Sequence, residues 1–182
     1  MQEFTHWLNA HKDFLTILIA FVALLTSCCS IVLTYISIRA QKKHFQKSIK
    51  PIANFSICDY DNEISVSIRN CGCGPLIVDT FKVYDTNNNV KDNLVDWMPE
   101  LPKDIYWSTF FKRLNGFAIL PSESLILLKY IPDLVKEDEV EFRDKVRKSL
   151  SILSAELSFK DIYENLQPIN SKSLDWFGRH FK

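Results

Sequence analysis

Cys71-Gly72-Cys73-Gly74-Pro75 places two thiols either side of a single glycine and holds half of the chain's four glycines. With Cys58 they would offer three sulfur ligands. A structural zinc site, however, pairs its cysteines across about two to four residues and takes a fourth ligand, and the one histidine after His44 is His180. The stretch reads instead as a structural turn made by Asn70, Gly72, Gly74 and Pro75: the glycines permit a positive φ or a close backbone approach, and the proline fixes the bend between two strands. Asp59, Asp61 and Glu63 have the oxygen chemistry of a loose calcium site, yet they flank a predicted hairpin turn, where acids are ordinarily solvated. A nucleophile–base pair would have to draw on His180, because no histidine lies between it and His44. No phosphate-binding loop or dinucleotide fingerprint occurs. The expectation is a non-enzymatic chain with no metal and no cofactor.

The elements that would position these residues begin at Pro51, where the pattern changes from helical to alternating. Ala53, Phe55 and Ile57 alternate with polar neighbours, Asp61-Asn62 makes a tight turn, and Ile64, Val66 and Ile68 share one side of Glu63–Asn70. A third strand is predicted over Leu76–Tyr84, followed by the turn-forming run from Asp85 to Asn89. Residues 90–116 read as an insertion with a short helix around Tyr106–Arg113. Further strands are predicted at Phe117–Leu120, Leu125–Tyr130 and Ser151–Tyr163. Between the last two, Leu134–Leu150 has helical character, with Val140, Phe142, Val146 and Leu150 inward and Glu139, Asp144, Lys145 and Lys148 solvated. The tail from Asn170, with Leu174, Trp176, Phe177 and Phe181, is too aromatic for a solvated segment; a strand or short helix docked on the domain or the membrane is expected. The fold class is mainly β: an N-terminal single transmembrane helix, then an immunoglobulin-like β-sandwich with one or two inserted helices.

The helix is the run from Phe14 to Ile38, 25 residues without a charge. At about 1.5 Å per residue this exceeds the roughly 30 Å hydrocarbon core. It is longer than the apolar stretch of a signal peptide, and no small-residue cleavage pattern follows it. Arg39, Lys42, Lys43, Lys47 and Lys50 come after it with no acid among them, against Lys12 alone before it. Basic residues stay on the cytoplasmic side. The chain is therefore predicted to have a short extracytoplasmic N-terminus (1–13), a transmembrane helix (14–38), a basic juxtamembrane segment (39–50) and a cytoplasmic domain (51–182) at the cell inner membrane. The basic segment is expected to continue the helix for some two or three turns, to stop at Pro51 and to lie against anionic headgroups. Trp7 and Tyr35 suit the two interfaces. An odd number of cysteines in the domain, Cys58, Cys71 and Cys73, fits a reducing compartment.

Although 22 basic residues balance 22 acidic ones over the whole chain, the part outside residues 1–13 and 39–50 carries 16 basic and 20 acidic residues. That mildly acidic domain argues against a nucleic-acid partner. Along the helix, Thr16, Ala20, Ala23, Ser27, Ser30, Thr34 and Ser37 recur at alternating steps of four and three, a seam on which a second helix can pack closely. The expected partners are the lipid bilayer, a second copy or another membrane protein through this seam, and a cytoplasmic protein through the β domain. Ser and Thr in such helices also bond back to their own backbone.

Ile68-Arg69-Asn70-Cys71-Gly72-Cys73-Gly74-Pro75-Leu76-Ile77-Val78 resembles the Asn-x-Gly-x-Gly-Pro-Ala-x-Ile stretch of small bacterial proteins built from a membrane helix, a basic segment ending in Lys-Pro and a β-rich domain. Lys50-Pro51, Pro121-Ser122-Glu123-Ser124 (for Pro-Gly-Glu-Ser) and Phe159-Lys160-Asp161-Ile162-Tyr163 (for Tyr-x-Asp-Ile-Tyr-Gly) extend the resemblance over most of residues 50–165. Leu76 stands for Ala, Ser122 for Gly and Glu164 for Gly. The resemblance implies a bacterial origin, no catalytic residues and, for some such proteins, an antiphage defence context. The functional expectation is a non-enzymatic membrane-anchored interaction or sensor module that serves as the membrane component or effector of such a system; the alternative is an accessory or structural subunit of an envelope complex.

Overall fold

A computed structural model describes residues 12–181, so most of the expected extracytoplasmic segment, Trp7 included, lies outside the described residues. The chain falls into two compact units that divide between Lys47 and Ser48. In the first, a single helix α1 runs from Lys12 to Ser48, 37 residues of which none is buried. It is the one helix among the described residues long and apolar enough to cross a membrane. The basic segment continues it as far as Ser48, as the charge and proline pattern predicts, which leaves Lys50 beyond the helix and before Pro51. Arg39 lies 5.0 Å over the Tyr35 ring, a cation–π contact along the same helix face.

The second unit holds two antiparallel sheets. β1 (Ala53–Tyr60) and β2 (Glu63–Asn70) form the predicted hairpin around Asp61-Asn62. β7 (Ser124–Tyr130) pairs with β2, and β5 (Thr109–Phe110) pairs with β7, in the order β1-β2-β7-β5. In the other sheet β3 (Leu76–Tyr84) meets β8 (Ser154–Lys160) on one side, and β4 (Val90–Lys91) and β6 (Ala118–Ile119) near its two ends on the other. β9 (Asn170–Ser173) closes that sheet beside β8. Strict alternation explains the core: Ile64, Val66 and Ile68 of β2 and Ala155, Leu157 and Phe159 of β8 all belong to one buried cluster, with Phe81, Val83 and Leu127.

Helix α2 (Glu137–Ser151) buries Phe142, Val146 and Leu150 as the spacing predicts, while Val140 is only half-buried. Two expectations about its polar face fail. Glu139 is buried, because its carboxylate accepts from Asp133 N at 2.7 Å and Lys136 Nζ at 2.9 Å and so fastens the loop that precedes the helix. The backbone hydrogen bond from Asp133, then Lys136, holds this carboxyl below the usual range. Asp144 is half-buried for a related reason, as the acceptor of two arginines. The short helix expected at Tyr106–Arg113 does not form. Ser108 N and Phe111 N instead donate to Lys129 O and Leu127 O, which draws β5 into the first sheet. Trp107 packs on Tyr130 and Phe142, at 5.8 and 5.7 Å between ring centroids. Tertiary pairing outweighs a weak local helical pattern here. Burial, and then Glu139 nearby, pushes the Tyr130 hydroxyl up to about 12. The tail docks on the domain, with Leu174 and the Phe177 of a 3₁₀ helix (Asp175–Phe181) buried and Trp176 and Phe181 exposed.

Candidate functional site: a buried aspartate and the cleft beside it

β1 points Ala53, Phe55, Ile57 and Asp59 to the same side, so the alternation that buries two apolar residues also carries a carboxylate inward. Far from lying solvated on a hairpin turn, the Asp59 side chain has 0% exposure. Its Oδ1 accepts from Arg147 Nε of α2 at 2.8 Å, while Oδ2 lies 2.6 Å from Arg179 Nη1 and 3.1 Å from His180 Nε2. Arg179 Nη2 also donates to the Asp59 carbonyl at 2.7 Å. His180 thus belongs to the Asp59 cluster through Nε2.

Arg147 is engaged throughout: Nη1 donates to Asp144 Oδ1 at 3.0 Å and Nη2 to Tyr60 O at 3.1 Å. One turn earlier Arg143 bonds Asp61 O and Asp144 Oδ1 at 3.1 and 3.0 Å. Burial opposes the charge of Arg147, but Asp59, Asp144 and Asp61 outweigh it and raise its affinity for the proton. Three arginines and three aspartates therefore clamp the β1–β2 turn to α2 and to the C-terminal 3₁₀ helix. Arg143, Arg147 and Arg179 were missed in the sequence. The signals were Asp59 at an inward position of an alternating strand, and Arg143 and Arg147 beside Phe142 and Val146 on the helix's buried stripe.

Beside this cluster lies a cleft of about 400 Å³ between β1 of one sheet and β9 and the 3₁₀ helix, with walls that include Phe55, Ile57, Tyr60, Lys172, Trp176 and Arg179. Arg179 stacks 4.5 Å over the exposed Trp176 ring, and Tyr60 is exposed opposite. The two-residue turn makes Tyr60 and Glu63 the closing pair of the hairpin, so even-numbered residues of β1 bond to β2 and odd-numbered ones turn their N–H and C=O outward. At the two ends of β1 these outward groups are capped, Ala53 O by Asn170 Nδ2 at 2.5 Å and Asp59 O by Arg179. Between the caps, the outward backbone groups of Phe55 and Ile57 have no partner among the described residues. The Cys58 thiol is pushed up by burial and then by Glu63, which keeps it protonated and a poor nucleophile near neutrality. No group of three His, Cys, Asp or Glu able to hold a metal occurs among the described residues. What the cleft offers is aromatic surface, the cations Lys172 and Arg179 balanced by Asp59 and Asp175, and a short open strand edge.

The chain matches no protein-family model and no curated protein.

The predicted turn is a separate feature at the other end of the hairpin. Asn70 has 0% exposure, and its amide uses all four of its hydrogen-bonding positions. Oδ1 accepts from Ile52 N and Gly72 N at 3.3 and 3.0 Å, and Nδ2 donates to Gly74 O and Ile119 O at 2.7 and 3.0 Å. Of the two roles open to the glycines, close approach is the one realised. A Cβ on Gly72 would fall 2.5 Å from Ile52 N, and one on Gly74 would meet the Ile49 carbonyl, whereas among the glycines a positive φ belongs to Gly116. Cys71 and Cys73 are free and exposed. On α1, all of the seam from Thr16 through Ala20, Ala23, Ser27, Ser30 and Thr34 to Ser37 is exposed, as are Arg39, Lys42, Lys43, Lys47 and Lys50. Thr16, Ser30 and Thr34 donate to the carbonyls of Lys12, Thr26 and Ser30, the self-bonding that spanning helices commonly show.

Proposed function

We propose that the chain is a non-enzymatic, single-pass membrane-anchored binding module. In this reading α1 spans a bacterial inner membrane, an immunoglobulin-like β-sandwich stands on the cytoplasmic side, and the β1 edge receives an extended segment of a cytoplasmic protein. The observation that carries it is the unpaired Phe55–Ile57 edge, flanked by Tyr60 and Trp176, in a unit that follows an apolar helix with no buried residue. Two antiparallel sheets sharing one core, with Phe55 and Phe81 at 6.5 Å between ring centroids, support the sandwich. Five basic residues after the span against one before it support the orientation; an active alkaline phosphatase fused to the C-terminus would overturn it. An antiphage setting is supported by the resemblance of the Asn70–Pro75 turn and of Phe159–Tyr163 to small bacterial membrane proteins.

A library of displayed peptides selected on the full chain in nanodiscs tests the cleft. Ile57→Pro removes an outward N–H that takes no part in the β2 ladder, a change an edge strand tolerates. Selected peptides should lose at least about tenfold in affinity, one hydrogen bond with its neighbours, in Ile57→Pro and in Trp176→Ala. Peptides that bind both variants as tightly as the parent would rule out the edge.

The small-residue seam is proposed as the contact between two copies of α1. Ser27 tests it best, because its hydroxyl has no partner among the described residues while its neighbours bond back. Ser27→Ile should reduce cross-linking in membranes, at about 0.6 kcal/mol for each interaction lost, and Leu25→Ile should not. Equal cross-linking of the two variants would leave the helix an anchor only.

A further inference from the structure

The two ends of the β unit differ in chemistry. Where the chain enters, the Asn70 amide gathers the backbones of Ile52, Gly74 and Ile119, so the loops bearing Ile52 and Leu120 meet at one point. A second cleft, of about 430 Å³, sets Ile169 beside Lys50 and Ile52, and its walls hold that one lysine and no carboxylate. Leu166 bridges to Lys160, whose strand partner Ile77 follows directly on the Asn70–Pro75 turn. Ile52, Leu120, Leu166 and Ile169 are 54, 52, 64 and 66% exposed. The far ends of the strands carry Asp61, Asp85 and Asp133 in their turns. Ile131 and Val135 are also exposed there, but among Asp133, Glu137 and Asp138, charges that an anionic surface repels.

We propose that the end of the β unit built around Asn70 rests on the anionic surface of the bilayer that α1 crosses, with Ile52, Leu166 and Ile169 among the headgroups. The proposal rests on the reading of α1 as a spanning helix. Connectivity and charge select this occupant. Ile52 follows Ser48, the last residue of α1, by four residues, so at about 3.6 Å each it lies within about 14 Å of the helix end whatever the angle between the units. The uncompensated lysines of the approach, Lys42, Lys43, Lys47 and Lys50, draw the same end toward anionic lipid. Ile52 and Ile169 beside Lys50, in a cleft without a carboxylate, have the composition of an interfacial contact, although Glu123 and Glu164 are also exposed at this end and reduce its attraction to anionic lipid. The acidic turns at the opposite end would then face the aqueous phase.

The experiment uses the full chain in vesicles of phosphatidylcholine with a minority of phosphatidylglycerol, doped with a lipid that carries gadolinium on its headgroup. Trifluoromethyl-phenylalanine replaces Ile169 in one sample and Asn87, an exposed residue of the opposite end, in another. The fluorine line at position 169 should be broadened several-fold more than that at position 87, and the difference should shrink in pure phosphatidylcholine. Equal broadening, or stronger broadening at 87, overturns the proposal; a difference unchanged in the neutral vesicles overturns its electrostatic basis. Carbonate washing separates this from the anchor: a chain that stays with the vesicles yet shows equal broadening keeps its span and loses only the docking, whereas a chain that is extracted loses both.

Discussion

Asp59→Leu is expected to lower the unfolding free energy of the β unit by about 3–5 kcal/mol, the cost of removing one partner from a buried ion pair. The Arg147 side chain is 3% exposed and sits 2.8 Å from the carboxylate it would lose. It cannot discharge, because a guanidinium holds its proton throughout the neutral range, and Asp144 is too exposed to replace a partner with no exposure at all. Arg179 loses its ion pair and His180 its carboxylate partner, so the 3₁₀ helix keeps only the Arg179 bond to the Asp59 main-chain carbonyl and loosens from β1 as well. Asp59→Leu with Arg147→Met removes both charges while keeping apolar volume, and should recover a large part of the loss. Glu141→Gln breaks an exposed pair with Lys145 and should change stability by less than about 1 kcal/mol. Urea unfolding of the full chain in detergent micelles, followed by tryptophan emission, gives the three midpoints. If Asp59→Leu unfolds no earlier than Glu141→Gln, the cluster is not the clamp its geometry describes.

This cluster also marks where sequence reading stops. The strands were legible because alternation and strand propensity are local properties: β1, β2 and β8 lie where period-two patterns place them, β3 where β-branched and aromatic residues cluster, and the β1–β2 turn falls on Asp61-Asn62. The long helix was legible from an absence of charge. The clamp was not, because a charged residue on an inward face reads as an error in the pattern until its partner is known, and Asp59 finds Arg147 at a separation of 88 residues. Trp107 and β5 were hidden for the same reason, since a two-residue strand has no period and is defined only by the edge of β7 that it joins.

Backbone strain was not legible, because a non-glycine residue gives no local sign of a left-handed φ. Ser122 and Glu164 both adopt left-handed φ values, 66° and 63°. A side chain there costs about 1–2 kcal/mol relative to the right-handed region. Ser122 is held there because its N–H donates to Asn70 O, and Glu164 because its N–H donates to Asp161 O. Asp161 accepts from Tyr163 N and Asn165 N at 2.8 and 2.9 Å and fixes the turn on which Glu164 sits.

At Gly74 the obstacle is contact and not φ, and the expected result separates the two. Gly74→Val should destabilise the β unit by about 3 kcal/mol, the upper part of the range for overpacking a site that cannot relax. It cannot relax because the first added carbon meets the Ile49 carbonyl, the Gly74 carbonyl is held at 2.7 Å by the buried Asn70 amide, and Pro75 fixes the next φ. Gly74→Ala should therefore cost nearly as much as Gly74→Val, since it is the Cβ that collides. Gly116→Ala meets open space at a φ of 78° and should cost only the conformational term, about 1–2 kcal/mol. Cys71→Ser with Cys73→Ser changes two exposed thiols and should stay within about 0.5 kcal/mol of the parent. The same urea midpoints decide among these, with metal analysis of the parent and the double serine variant alongside. A benign Gly74→Ala would refute the close approach, and a stoichiometric metal lost with the two thiols would turn the turn into a site.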